Sequence, residues 1–161
     1  MQCDAKTFTG LYEQAYKDLY RFALCLLRNR QDAEDAVSEA VVSAYENIHK
    51  LRREEAFKNW IFKILSNICK KHLKKAAREM LCEEMEALSG TEMQAEEQDY
   101  GIALAVRDAF FILSEEEQMI VGLSVFGGYN SGEIADMLKL NANTVRSKRS
   151  RALAKMKCVL K

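Results

Sequence analysis

The sequence predicts an all-α protein of two small helical domains joined by an acidic linker. Three observations carry that reading. Proline is absent from the 161 residues and only seven glycines are present, which disfavours the turn-rich loops of an all-β sandwich or barrel. Apolar residues recur at spacings of three and four through most of the chain, the period of an amphipathic helix. Charged residues make up 30% and hydrophobic residues 48%, a globular rather than disordered or membranous composition.

Each element follows in order. Phe8, Leu11, Tyr12, Ala15, Leu19, Phe22, Ala23, Leu26 and Leu27 mark a first helix over residues 8–28. Asn29, Arg30 and Gln31 break the pattern, and Asp32 is an apt N-cap for a second helix over 33–48. A short charged connection, 49–53, leads to a long helix over 54–78 with Phe57, Trp60, Ile61, Ile64, Leu65, Ile68 and Leu73 as its apolar stripe. Residues 79–101 have too few large apolar groups to bury and read as a linker, whose first residues could extend the preceding helix. Four helical segments follow within 102–161: 102–113; one opened by the capping box Ser114–Glu117; 132–138, capped by Asn130 or Ser131; and 142–160, capped by Asn141. The expected domains are therefore 1–78 and 102–161.

Several function classes drop out. No run of about eighteen apolar residues occurs, so no membrane insertion is expected. The first residues lack a basic and apolar leader, which points to the cytoplasm. Cys3, Cys25, Cys69, Cys82 and Cys158 are odd in number, widely spaced and never form a C-x-x-C, so free thiols are expected. With only His49 and His72 to assist, no metal site is expected, and nothing suggests a cofactor or a phosphate loop.

The formal charge of zero hides a strong alternation. Net charge is −2 over residues 1–50, +7 over 51–78, −11 over 79–117 and +6 over 118–161. Two basic blocks, each in a helical segment, point to a polyanionic partner. In the second block, SGEIADMLKLNANTVRSKRSRA over 131–152 has the pattern of a helix-turn-helix. Its second helix carries Thr144, Arg146, Ser147, Lys148, Arg149, Ser150 and Arg151 near its start, where residues reach base edges and phosphates of a major groove. An ordinary helical hairpin with a solvated basic face is the alternative. In the first block, Lys63, Asn67, Lys70, Lys74 and Arg78 step by four, three, four and four along one helical face. Phe62 lies off the apolar stripe and could stack on an unpaired base, although a core role is the stronger reading for Phe62 and Trp60 alike. A third group, Asp32, Glu34, Asp35 and Glu39, has neither nucleophile nor third ligand beside it. Capping and dipole matching explain much of it, a protein-docking face is the other reading, and no catalytic residue is assigned.

Taken together these blocks resemble the sigma-70 family of bacterial transcription factors, in its extracytoplasmic-function (ECF) subgroup. The portions that carry the resemblance are DAEDAV over 32–37 with Glu39, FKNWIFKILSN over 57–67, and LSEEEQ with GYNSGEIADMLKLNANTVRSKRSRAL toward the end. It covers nearly the whole chain, in the family's order. The resemblance implies that Asp32, Asp35 and Glu39 dock on the clamp of core RNA polymerase. It implies that Phe62, Lys63, Asn67, Lys70 and Lys74 engage the −10 element and its unpaired strand. It further implies that Asn143, Thr144, Arg146, Ser147, Lys148, Ser150 and Arg151 contact the −35 element, with the second domain also touching the polymerase flap. The acidic linker resembles the segment that threads toward the RNA exit path. An exposed face on either domain could receive an anti-sigma factor, since such inhibitors are common in the family.

The chain departs from the family pattern at named positions. Ser114 stands for the usual proline, Gln118 for a frequent arginine and Lys71 for a frequent aspartate. Arg149 takes a position usually aliphatic while Leu153 takes one usually arginine, an exchange that predicts a rotated apolar stripe. The rivals are a stand-alone helix-turn-helix regulator, which should dimerise yet shows no sustained heptads, and an all-helical adaptor, which leaves both basic blocks unused.

Overall fold

The computed structural model describes residues 5–82 and 100–160, which divide into two units within 1–93 and 94–161. No strand occurs among the described residues. The first unit holds α1 (Ala5–Leu27), α2 (Arg30–Glu46) and α3 (Phe57–Cys82), with two short 3-10 turns at Ile48–Lys50 and Glu54–Ala56. The second holds α4 (Tyr100–Phe111), α5 (Glu115–Val125), α6 (Ser131–Leu138) and α7 (Ala142–Leu160). Most of the expected linker, 83–99, lies outside the described residues; its described ends are helical, as the last turn of α3 and the first of α4.

In the first unit each helix packs against the other two. Leu19, Phe22 and Leu26 of α1 and Ile61, Phe62 and Leu65 of α3 are all buried where the three helices pack together. Edge-to-face rings join Phe22 to Phe62 at 5.5 Å between centroids and Phe8 to Phe57 at 5.6 Å, the arrangement that ring quadrupoles favour. Small residues Ala33, Ala36, Ala40 and Ala44 line the buried side of α2 and allow its close approach. Trp60, expected in the core, is only half-buried and tilts against Phe57.

The start of α2 differs from the sequence expectation. The cap is Asn29, in extended backbone geometry, and its Oδ1 accepts the Asp32 amide at 2.9 Å. Arg28, at φ 60°, makes the reversal out of α1, so the helix begins three residues earlier than the polar cluster alone suggested. Asp32 therefore sits inside the first turn, its carboxylate not used as the cap.

The second unit is built around α7, which packs on α4, α5 and α6. The expected capping box of α5 forms, and of the two expected caps of α6 it is Asn130 that serves, within a second box. Ser114 and Glu117 exchange amide-to-side-chain bonds at 3.2 and 2.9 Å, and Asn130 and Glu133 do so at 2.9 Å each. Serine in the place of the family's proline thus supplies the cap of α5. Buried Gln118 donates Nε2 to the carbonyls of Phe110 and Leu113, at 3.0 and 3.3 Å, closing the α4–α5 corner. The α5–α6 turn needs glycine at Gly127, where a Cβ would fall 2.3 Å from the Tyr129 ring, and at Gly128, with φ +74°. Lys139 makes the left-handed turn between α6 and α7, at φ 60° and ψ 46°.

Candidate polymerase and nucleic-acid interfaces

The acidic face comes first in the chain. Because α2 packs inward through Ala33, Ala36, Val37, Ala40 and Ala44, helical geometry turns Asp32, Asp35 and Glu39 to solvent on one side. Gln31 Nε2 donates to Asp35 at 3.1 Å. Glu39 lies 3.4 Å from His72 Nε2 on α3, at the edge where the two helices meet. Two further residues share this surface. Val42 is 56% exposed directly opposite the buried stripe, and Glu46 follows one turn later. Neither was singled out from the sequence; an aliphatic residue at the outermost position of an otherwise polar helical face was the available signal.

The basic face of α3 forms as the spacing requires. Lys63, Asn67 and Lys74 are exposed and Lys70 is half-buried, with Lys71, Lys75 and Arg78 beside them. Among the described residues no carboxylate pairs with Lys63, Lys70 or Lys74. Lys58, earlier on the helix, is instead joined to Asp18 of α1 at 3.0 Å.

Phe62 is a correction. Its side chain is fully buried against Phe22, so the ring has no free face on which a base could stack. The reason is that α3 packs against two neighbours, which widens its buried arc beyond the expected stripe to include Phe62, Ser66 and Cys69.

On α7, Asn141 caps the helix by accepting the Asn143 amide at 2.7 Å. Asn143, Arg146, Ser147, Ser150 and Arg151 line one open, shallow concavity facing solvent. Arg146 donates Nη1 to Asn143 Oδ1, which fixes the guanidinium over the first turn. Thr144 is exposed on the flank. Lys148 differs from the rest of its group: it is turned toward α5 and paired with Glu116 at 2.6 Å. The apolar stripe is not rotated by the exchange of Arg149 and Leu153. Val145 and Ala152 are buried, Arg149 is half-buried along the packed edge, and Leu153 is left 46% exposed.

Three titrating groups, Glu117, Cys69 and Cys25, are shaped by their surroundings. Burial raises the Glu117 carboxyl, but the Ser114 amide and the Lys155 ammonium, 3.0 Å away, outweigh it and hold the group below its ordinary 4.5. Burial, with Glu39 nearby, pushes the Cys69 thiol up to about 12, and burial alone pushes Cys25 up to about 11. Both thiols are therefore held in the neutral form at neutral pH, the form that is not the nucleophile. Cys158 is exposed, while the side chains of Cys3 and Cys82 lie outside the described residues. Among the described residues no cluster of metal-ligating side chains occurs, and no helix is long and apolar enough to cross a membrane.

Comparison with known proteins agrees with this layout. Residues 11–79 match Sigma-70 region 2 and residues 104–156 match Sigma-70, region 4. The chain is 31% identical over 147 residues to the RNA polymerase sigma factor SigV of Bacillus subtilis, covering 89% of this chain and 85% of that one. It is 28% identical over 155 residues to the ECF RNA polymerase sigma factor SigM of Mycobacterium tuberculosis, covering 95% and 76%. Its fold is similar to that of the sigma factor RpoE of Bartonella quintana, solved in complex with the anti-sigma factor NepR. The TM-score is 0.85 and the identity 22%, over 97% of this chain and 98% of that one. Both matched regions, in this order and on these two helical units, place the chain in the sigma-70 family of RNA polymerase sigma factors, in the ECF subgroup.

Proposed function

We propose that this protein is an ECF-type initiation factor that binds bacterial core RNA polymerase, recognises −10 and −35 elements, and promotes strand opening without catalysis of its own. In that reading the α2 face of Asp32, Asp35 and Glu39, together with Val42, docks on the polymerase clamp. The α3 stripe of Lys63, Asn67, Lys70 and Lys74 follows the unpaired strand near the −10 element, with Phe62 serving only as the core that holds the stripe outward. The α7 concavity reads the −35 major groove through Arg146 and Arg151, flanked by Asn143, Thr144, Ser147 and Ser150. Opening the duplex draws on binding energy for unpaired bases, so no nucleotide hydrolysis is required.

The single observation that carries this reading is the joint exposure, in one three-helix unit, of an acidic face on α2 and a basic face on α3. A stand-alone regulator using only the helix-turn-helix would leave both faces without a role. An anti-sigma factor is a further partner we infer, from the complex in which the similar RpoE structure was solved.

Run-off transcription with purified core polymerase, this protein and genomic fragments tests the proposal. Specific transcripts should appear only when both proteins are present. Absence of transcripts together with failure to co-elute with the native core would move the assignment to the stand-alone regulator.

A further inference from the structure

Among the seven residues of α7 expected on DNA, Lys148 alone is held by a carboxylate of its own unit. Glu116 lies in the first turn of α5, between Glu115 and Glu117. Its Oε1 is 2.6 Å from Lys148 Nζ, a charge-assisted contact, and the side chains remain 42% and 31% exposed. One residue further, Glu117 holds Lys155, two turns along α7, at 3.0 Å. The two pairs differ in kind. Glu117 is almost sealed and is also engaged by the Ser114 amide, so it belongs to the packing of α5 on α7. Glu116 is half open to solvent and, among the described residues, its contact is with Lys148.

Lys148 sits on the flank of α7, at the boundary between the concavity and the surface packed on α5. When a helix lies in a major groove, its flanks face the sugar–phosphate strands rather than the base edges. A lysine in that position makes a phosphate contact, which adds affinity for any sequence. A carboxylate on that same ammonium occupies the place a phosphate oxygen would take.

We propose that Glu116 acts as an internal stand-in for DNA phosphate, holding Lys148 back and so restraining sequence-independent binding by the C-terminal unit. An exposed pair of this kind is weak enough for a correctly docked phosphate to displace it. Base contacts from Arg146 and Arg151 then account for a larger share of binding, which sharpens discrimination between sites. The inference rests on the reading of α7 as the −35 helix.

The test uses the full chain and a labelled mixed-sequence DNA duplex, with anisotropy titrations across a series of salt concentrations. Glu116→Gln should bind about threefold to tenfold more tightly at low salt, and its slope of log K against log salt should steepen by about 0.9, the signature of one additional phosphate contact. In a Lys148→Gln background the Glu116→Gln change should give no gain. Glu115→Gln, which removes the same charge from a neighbouring exposed position, should give a smaller gain and no change in slope. An unchanged slope for Glu116→Gln, or an equal gain with Lys148 absent, overturns the proposal in favour of a general charge effect. Failure of the underlying reading looks different: Arg146→Ala and Arg151→Ala would leave duplex binding at the wild-type level.

Discussion

Phe62 and Lys63 are neighbours in sequence with opposite roles. Phe62→Ala removes a ring sealed against Phe22 and should cost the first unit about 3–5 kcal/mol, measured by chemical denaturation. Lys63→Ala, at an exposed position, should stay within about 0.5 kcal/mol of wild type. A small loss for Phe62→Ala would mean that the ring is not part of the core. Glu117 gives a pH-dependent counterpart in the second unit. Its folded pKa is depressed below 4.5, so its stabilisation is present above that value and is lost as pH falls through the lower folded value. Glu117→Gln should therefore destabilise the second unit at neutral pH, by roughly 1–3 kcal/mol for the weakened buried cap and ion pair. Its deficit against wild type should shrink on acidification below about 4.5. A deficit independent of pH would show that the charge of Glu117 contributes nothing.

At the scale of the element, α2 presents the clearest functional surface. An exposed aliphatic residue bordered on one side by carboxylates is suited to an interface with an apolar contact and a polar rim, and its partner should pair basic side chains with an apolar notch. Val42→Lys should weaken binding to core polymerase by at least about tenfold, or about 1.4 kcal/mol, while leaving the melting temperature of the protein near wild type. Unchanged polymerase affinity, alongside a clear loss for Asp35→Lys, would leave the acidic rim as the docking surface without Val42 at its centre. The same element shows how a sequence can suggest the wrong cap yet the right face. Asp32 and Asn29 are both good capping residues, and only the extended backbone of Asn29 after the left-handed turn at Arg28 selects between them. The acidic positions of α2 face outward either way, because the alanines at three- and four-residue spacing fix the buried side.

For the molecule as a whole, zero formal charge is a poor guide to its partners, since the blocks of +7 and +6 lie in segments distinct from the block of −11. Binding to promoter DNA with core polymerase should weaken steeply as salt rises, each phosphate contact adding about 0.9 to the slope. Neutralising Lys63 and Lys74 together, which face a single strand, should lower the slope by about 1.4; an unaltered slope would remove the α3 stripe from the DNA path. The sequence by itself determined the helical class, the order of seven helices, the capping box of α5, a cap at the start of α6, and the outward faces of α2, α3 and α7. All of these depend on residues three or four apart, within the reach of a single helical turn. Tertiary structure alone decided between the core and stacking readings of Phe62, that Ala152 rather than Leu153 joins Val145 in the buried stripe, and that Lys148 is held by Glu116. Those outcomes depend on which neighbouring helix covers a given arc and on groups brought together from distant parts of the chain, and neither is carried by a local period.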